Sequence, residues 1–169
     1  MTERGIRYGF SLLELLIAIT IVFILASMMA ATVATVRRSA KRRRAAVEAQ
    51  ALLQAMKRYH TAYGEWPGSP PPGAGDVTFT NCAGVLADLT NNPRGLQLIE
   101  LGEDDIKNNC RVDPWGRSYV TAVDMDGDGA TGINCTNAAG VFVTNVPDKA
   151  AVFSWGPAVK KPSWRVYSW

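Results

Sequence analysis

The sequence is poor in the residues that most enzyme chemistry requires. It contains one histidine and three cysteines in 169 residues, and no two cysteines have the CxxC spacing of a zinc site or a thioredoxin-like redox pair. Walker A, HExxH and nucleophile-elbow strings are also absent. The single histidine, His60, has the setting of a helix-surface residue rather than that of an acid–base catalyst. We therefore expect no catalytic residues and no enzyme.

Charge is absent from residues 15–36. At about 1.5 Å per residue, a helix of this length matches a hydrocarbon core of roughly 30 Å. The run is longer than the core of a signal peptide, about 7–15 residues, so we expect it to be retained as a membrane anchor. Glu14 is anomalous, because a carboxylate in the apolar run that begins at Phe10 is costly in hydrocarbon without a partner. We expect it to be functional.

The charges outside this run are distributed unevenly. Residues 1–64 contain ten Lys or Arg and three Asp or Glu, net +7, whereas residues 65–169 contain eight and twelve, net −4. Basic residues are concentrated just after the apolar run, at residues 37–44. The positive-inside rule alone would place this end of the anchor in the cytoplasm. We interpret the cluster as residues among lipid headgroups and consider nucleic-acid binding unlikely.

The spacing of apolar residues predicts an α+β fold. Small and apolar residues recur every three or four positions from Ala45 to Tyr63, which indicates an amphipathic helix continuous with the apolar run. Gly64 and Pro67 end this helix. The predicted fold is a long amino-terminal transmembrane and amphipathic helix packed on a small antiparallel β-sheet head. A short helix is expected at residues 82–89, and strands are expected at residues 118–123, 140–144 and 150–155.

Residues 9–19, GFSLLELLIAI, resemble the amino terminus of type IV pilins and of secretion-system pseudopilins. The resemblance implies that a prepilin peptidase cleaves between Gly9 and Phe10 and that the new Phe10 amine is then methylated. It also implies that Glu14 neutralises the amino terminus of a neighbouring subunit during assembly into a helical filament. A buried carboxylate requires a buried cation nearby, and that amine is one.

The resemblance divides the chain into three parts. Residues 1–9 form a cleaved leader, and residues 65–169 form a globular periplasmic head. Between them, residues 10–64 form a helix, with its transmembrane half at about 10–36 and its amphipathic half at about 37–64.

Four segments of the head resemble the major, G-type pseudopilin of type II secretion systems: YGEWP at 63–67, LTNNPRG at 89–95, DPWGRSY at 113–119 and FSWGP at 153–157. The resemblance implies a single-pass protein of the bacterial inner membrane that leaves the lipid bilayer to join a periplasmic pseudopilus. Its partners would be minor pseudopilins and an inner-membrane assembly platform with its ATPase. Two alternatives remain open: a type IV pilin of a surface pilus for adhesion, motility or DNA uptake, and a membrane-tethered calcium-binding module that does not polymerise.

Residues 124–129, DMDGDG, form an acidic loop with carboxylates at alternating positions. This pattern suits a cation that takes several oxygen ligands, and calcium is the candidate. We expect Asp124, Asp126 and Asp128 to provide side-chain ligands, together with the Ala130 carbonyl. Related major pseudopilins bind calcium in a comparable head loop, which supports this hypothesis. The alternative is a solvated turn without a metal.

The three cysteines, Cys82, Cys110 and Cys135, all lie in the head. An oxidising compartment would favour one disulfide between two of them and one remaining thiol. The sequence does not identify the pair.

Overall fold

The computed structural model describes residues 11–71, 73–102, 105–137, 140–157, 163 and 165–169. The predicted α+β class is confirmed, because a long apolar helix precedes short antiparallel strands. The leader and the predicted cleavage and methylation positions, Gly9 and Phe10, lie outside the described residues. Helices and strands follow in the order α1 (Leu12–Tyr63), β1 (Val77–Phe79), α2 (Ala83–Thr90), β2 (Ile106–Lys107), β3 (Cys110–Arg111), β4 (Val120–Val123), β5 (Thr131–Asn137), β6 (Gly140–Val146), β7 (Ala150–Ser154) and β8 (Val166–Tyr167).

The chain forms two compact units, Met1–Ala40 and Lys41–Trp169, and we call the second one the head unit. The head unit includes the second half of α1 as well as the predicted head. This grouping has a packing cause: Ala49, Leu52 and Met56 of α1 are fully buried in the core of the head unit. A boundary at residue 64 would divide that core.

The main sheet of the head unit has the strand order β1-β4-β7-β8, with every neighbouring pair antiparallel. Strands β4 and β7 are buried along their whole length, so they alternate between two apolar surroundings instead of between core and solvent. Val123 and Val152 face the helix-side core, where α1 and α2 pack. Ala122 and Phe153 belong to the hairpin-side core.

Strands β5 and β6 form a separate two-stranded hairpin. Its residues Ile133, Cys135 and Val146 are buried in the hairpin-side core with β4 and β7. Within the described residues, the sheet is therefore covered by helices on one face and by this hairpin on the other.

The predicted short helix and three predicted strands correspond to α2, β4, β6 and β7, with ends shifted by a few residues. The sequence analysis did not predict β1, β2, β3, β5 or β8. Four of these strands have only two or three residues, too few to establish an alternating pattern. Strand β5 is longer but contains Gly132 and Asn134, which have low strand propensity and conceal its pattern.

Candidate functional site

The first turn of α1 is capped by Ser11. The Ser11 hydroxyl accepts a hydrogen bond from the Glu14 backbone N–H at 3.2 Å. Ser and Glu at this spacing are the two residues of a capping box, in which the serine caps the helix and a glutamate stands three positions later. The sequence analysis assigned Glu14 to assembly and missed Ser11, although the S-x-x-E spacing is visible in the sequence.

The Glu14 side chain is exposed, and it forms no salt bridge with another described residue. It is surrounded along the helix by Leu12, Leu13, Leu15 and Leu16, each of which is more than half exposed. A carboxylate in so apolar a surface is stable in water but not in lipid or in a protein interior. The geometry therefore leaves its charge available to a group from outside the described chain.

The apolar part of α1 contains an 18-residue window with a mean hydropathy of 2.6, and none of it is buried. Three of its hydroxyl groups donate hydrogen bonds within the helix. Thr20 donates to the Ile17 carbonyl at 2.8 Å, Ser27 to the Ile24 carbonyl at 2.8 Å and Thr32 to the Met28 carbonyl at 3.2 Å. Internal hydrogen bonding of this kind is what a helix requires in hydrocarbon. By length and composition, this helix could cross a membrane.

Two of the four head segments meet at a buried carboxylate. Asp113, which is 3% exposed, accepts hydrogen bonds from the backbone N–H groups of Trp115 at 3.0 Å and Arg117 at 2.8 Å. Its other oxygen accepts a hydrogen bond from the Ser154 hydroxyl. Arg117 in turn donates to the Gly156 carbonyl at 2.6 Å. These contacts join the DPWGRSY and FSWGP segments and give both a structural role.

The other two segments also contact each other. The Tyr63 hydroxyl donates to the Asn92 side-chain oxygen at 2.8 Å and accepts from the Arg94 backbone N–H at 3.0 Å. The Arg94 guanidinium lies 5.1 Å from the centroid of the Tyr63 ring. Trp66 reaches further and donates its indole N–H to the Asp124 carbonyl at 2.9 Å. The end of α1 thus holds the turn after α2, and the segment that follows α1 holds the start of the acidic loop.

The acidic loop is organised around Asp124, which is 5% exposed. Its two oxygens accept hydrogen bonds from the backbone N–H groups of Gly127 at 2.7 Å and Gly129 at 3.0 Å. Both glycines have positive φ angles, 79° and 86°, which side-chain-bearing residues rarely adopt. The Asp-x-x-Gly-x-Gly spacing therefore closes the loop around one carboxylate.

The structure adds Asp76 to the predicted calcium ligands. One oxygen from each of Asp76, Asp124 and Asp126 lies within 4.8 Å of the others. Asp124 is buried, whereas Asp126 is exposed. Asp76 Oδ2 accepts a hydrogen bond from Gly132 N–H, whereas Asp76 Oδ1 is a buried atom without a hydrogen-bond partner among the described residues. Three converging carboxylates and one unsatisfied buried oxygen fit a calcium ion. The sequence did not reveal Asp76, because it lies 48 positions before Asp124.

Asp128 does not belong to this group of carboxylates. Its Oδ1 accepts a hydrogen bond from the Ala130 backbone N–H at 2.7 Å, so its contact is with the loop itself. The roles of Asp128 and of the Ala130 carbonyl as ligands remain predictions.

His60 and Trp66 border a groove of about 690 Å³ next to the acidic loop, and their rings stack at 4.2 Å. Asp88, Asp124 and Lys149 also line this groove. His60 therefore packs against Trp66 at the end of α1.

Among the described residues, Arg42 and Arg44 of the basic cluster contact other parts of the head unit. Arg42 donates to the Ser163 carbonyl at 2.6 Å, and Arg44 forms ion pairs with Glu48 at 2.6 Å and Asp105 at 2.7 Å. Glu48 also accepts a hydrogen bond from the Tyr119 hydroxyl at 2.7 Å. Burial raises the pKa of Tyr119 and Glu48 raises it further, so this hydroxyl remains a donor. The predicted headgroup role is therefore incomplete, because Arg42 and Arg44 also attach α1 to the head.

All three cysteines are buried thiols. The thiols of Cys82 and Cys110 are neighbours, and Cys110 adds to the effect of burial in raising the pKa of the Cys82 thiol. Cys135 lies elsewhere, on β5 in the hairpin-side core, with Phe142 as its cross-strand partner. The structure thus brings together one of the three possible pairs.

The comparison with protein families identifies the amino-terminal segment. Residues 6–30 match the family described as the prokaryotic N-terminal methylation motif. This amino-terminal segment is type IV pilin-like. This motif implies processing by a prepilin peptidase and assembly into a filament. The searches of curated proteins and of solved structures found no match to the chain.

Proposed function

We propose that this type IV pilin-like protein is a pseudopilin, a structural subunit of a periplasmic filament that drives type II protein secretion. The observation that carries the proposal is the methylation motif at residues 6–30 at the start of the 52-residue helix α1. The exposed apolar side chains at the start of α1 require a covering of lipid or of other subunits. The second half of α1 carries the head unit. These are the parts that a membrane-anchored filament subunit needs.

Maturation removes residues 1–9 and exposes a new, methylated amine at Phe10. In a filament of packed helices, water is excluded from this end of α1 and both charges lose their hydration. The Glu14 carboxylate of one subunit then pairs with the Phe10 amine of its neighbour, because an unpaired charge in that position is strongly unfavourable. The pair sets the register between subunits.

The work of this protein is mechanical, and we propose no catalytic role for it. Subunits reside in the inner membrane with the head in the periplasm, and an assembly platform with its ATPase moves them into the filament. The finer choice of a pseudopilus over a surface pilus is supported by the head. It contains all four segments that resemble the major pseudopilin.

We further propose that calcium binds Asp76, Asp124 and Asp126. The ion would satisfy the buried Asp76 Oδ1 and offset the repulsion among three carboxylates. Since Asp76 precedes β1 and the other two belong to the acidic loop, bound calcium would hold this loop against the start of the sheet. An ordered loop would then present a defined surface to neighbouring heads.

The test of maturation is the intact mass of the protein recovered from cells with and without the prepilin peptidase. A peptidase-dependent chain that begins at methylated Phe10 would support the filament-subunit class. A chain that begins at Met1 in both strains would overturn it and favour the tethered calcium-binding module. A strain that lacks this protein then separates the two filament types. A secretion defect in this strain supports the pseudopilin, whereas the loss of surface pili supports the type IV pilin.

A further inference from the structure

The hydrogen bonds of Cys82 and Cys110 cross each other. The Cys110 thiol donates to the side-chain oxygen of Asn81, the residue before Cys82, at 2.6 Å. The Cys82 thiol donates to the carbonyl of Arg111, the residue after Cys110, at 3.6 Å. Each thiol therefore contacts a residue adjacent in sequence to the other cysteine. These contacts place the side chain of Cys82, at the start of α2, next to that of Cys110 in β3.

Burial isolates this pair from solvent. Cys82 is 0% exposed and Cys110 is 1% exposed. Cys82 is also the N-cap residue of α2, and its side chain makes no capping hydrogen bond. Its thiol therefore does not accept the backbone N–H hydrogen bond that an N-cap serine or aspartate would accept.

We infer that Cys82 and Cys110 form a structural disulfide in the mature protein and that Cys135 remains a thiol. The bond would join the start of α2 to β3 and close a loop of 27 intervening residues. This loop contains α2 and Leu98, both of which contribute to the helix-side core. Cross-linking it reduces the conformational freedom of the unfolded chain, which is how a disulfide of this span stabilises a small head.

The oxidant is a disulfide, either that of a small molecule or that of an oxidised dithiol oxidase. One cysteine thiolate attacks the disulfide of the oxidant, forms a mixed disulfide and releases one reduced thiol. The second cysteine, as a thiolate, then attacks the protein sulfur of the mixed disulfide and releases the second reduced thiol. The two cysteines thereby lose two protons and two electrons, and the oxidant is reduced to two thiols.

The timing of this reaction follows from burial. Burial, with a smaller effect of Cys110, raises the pKa of the Cys82 thiol to about 12, so very little thiolate exists near neutral pH in the folded head. An oxidant also has no access to either sulfur in the folded state. The bond therefore forms while the chain folds, and afterwards it is protected from reductants by the same burial.

The first experiment refolds the full-length chain in detergent with a mixture of reduced and oxidised glutathione. The product is unfolded, alkylated without reductant and mapped by peptide mass. We expect a peptide that links Cys82 to Cys110 and one alkylated cysteine, Cys135. The reduced head should melt on the order of 10 °C lower than the oxidised head. A bond to Cys135, or three alkylated cysteines, would overturn the inference.

Variants provide a matched control. Cys135→Ser should retain the bond, whereas Cys82→Ser and Cys110→Ser should each leave two alkylatable cysteines and a melting temperature like that of the reduced wild type. Because the wild-type peptide map requires no variant, a misfolded variant does not remove the test. Loss of the cross-link in Cys135→Ser would contradict the assigned pair.

A second experiment examines protein recovered from cells and rests on the proposed periplasmic location. The linked peptide in this material supports both the inference and the location. A cross-link that forms on refolding but is absent from cell-derived protein would support the pairing and count against an oxidising location for the head. Failure of the inference and failure of the proposed function are therefore distinguishable.

Discussion

The Asp113 carboxylate accepts a hydrogen bond from the Ser154 hydroxyl, which lies 41 residues farther along the chain. The same hydroxyl accepts a hydrogen bond from Gly156 N–H at 2.9 Å. Asp113 therefore connects the turn before β4 with the end of β7, two strands that are neighbours in the sheet. Its hydrogen bonds thus join two of the four head segments, DPWGRSY and FSWGP.

Replacement of Asp113 with Ala should destabilise the head unit by about 3 kcal/mol, because three donors in a buried site lose their acceptor. Chemical unfolding of the full chain in detergent, followed by tryptophan fluorescence, measures this change. Glu65→Gln is the matched control, since Glu65 is exposed, and it should change the free energy of unfolding by less than about 0.5 kcal/mol. Equal effects of the two substitutions would contradict the assigned role of Asp113.

Replacement of Glu14 with Ala should leave membrane insertion intact and abolish filaments, because insertion depends on the apolar run whereas register depends on the carboxylate. Membrane fractionation and filament yield measure the two properties. Ser11→Ala is the control: it removes the cap of α1, which costs about 1 kcal/mol of helix stability, but keeps the carboxylate. Unchanged filament yield in Glu14→Ala would refute the register role.

Calcium should raise the melting temperature of the wild-type head, and Asp126→Asn should reduce this shift more strongly than Asp128→Asn does. The two residues are both exposed and belong to the same loop, but only Asp126 converges with Asp76 and Asp124. Thermal unfolding with calcium, with magnesium and with a chelator checks the expectation. If calcium has no effect on the wild-type head, the metal site is rejected in favour of a solvated turn. If the calcium-induced shift falls more in Asp128→Asn than in Asp126→Asn, the ligand set expected from the sequence, which includes Asp128, is favoured instead.

Replacement of Arg111 with Met should leave the stability of the head unit unchanged or raise it by about 1 kcal/mol. Arg111 is 6% exposed, and its Nε and Nη1 have no hydrogen-bond partner among the described residues. Its Nη2 lies 4.0 Å from Asp105, whose carboxylate is paired more closely with Arg44. Replacing a poorly paired buried charge with an apolar side chain of similar length is often neutral or stabilising.

Arg117→Met provides the comparison for this prediction. Arg117 donates to the Gly156 carbonyl at 2.6 Å, so its replacement should lower the free energy of unfolding by about 1–2 kcal/mol. Denaturant unfolding of both variants tests the contrast. A larger loss in Arg111→Met than in Arg117→Met would contradict it.

The sequence alone was sufficient for features that depend on neighbouring positions in the chain. The uncharged run at residues 15–36 and the end of α1 near Gly64 follow from local composition and spacing. The methylation motif was found through the resemblance of residues 9–19 to type IV pilins and pseudopilins. Helical periodicity needs only three- and four-residue intervals, so α1 was predicted to within one residue of its observed end. The acidic loop was visible for the same reason, because its carboxylates and glycines are consecutive.

Tertiary structure decided every feature that joins distant positions. It brought Asp76 to the acidic loop, selected Cys110 over Cys135 as the neighbour of Cys82 and joined Asp113 to Ser154. It also showed that α1 shares a core with the sheet, which assigns Lys41 onward to the head unit. These contacts arise from antiparallel strand pairing and from packing on two faces of one sheet, and neither leaves a local signal in the sequence.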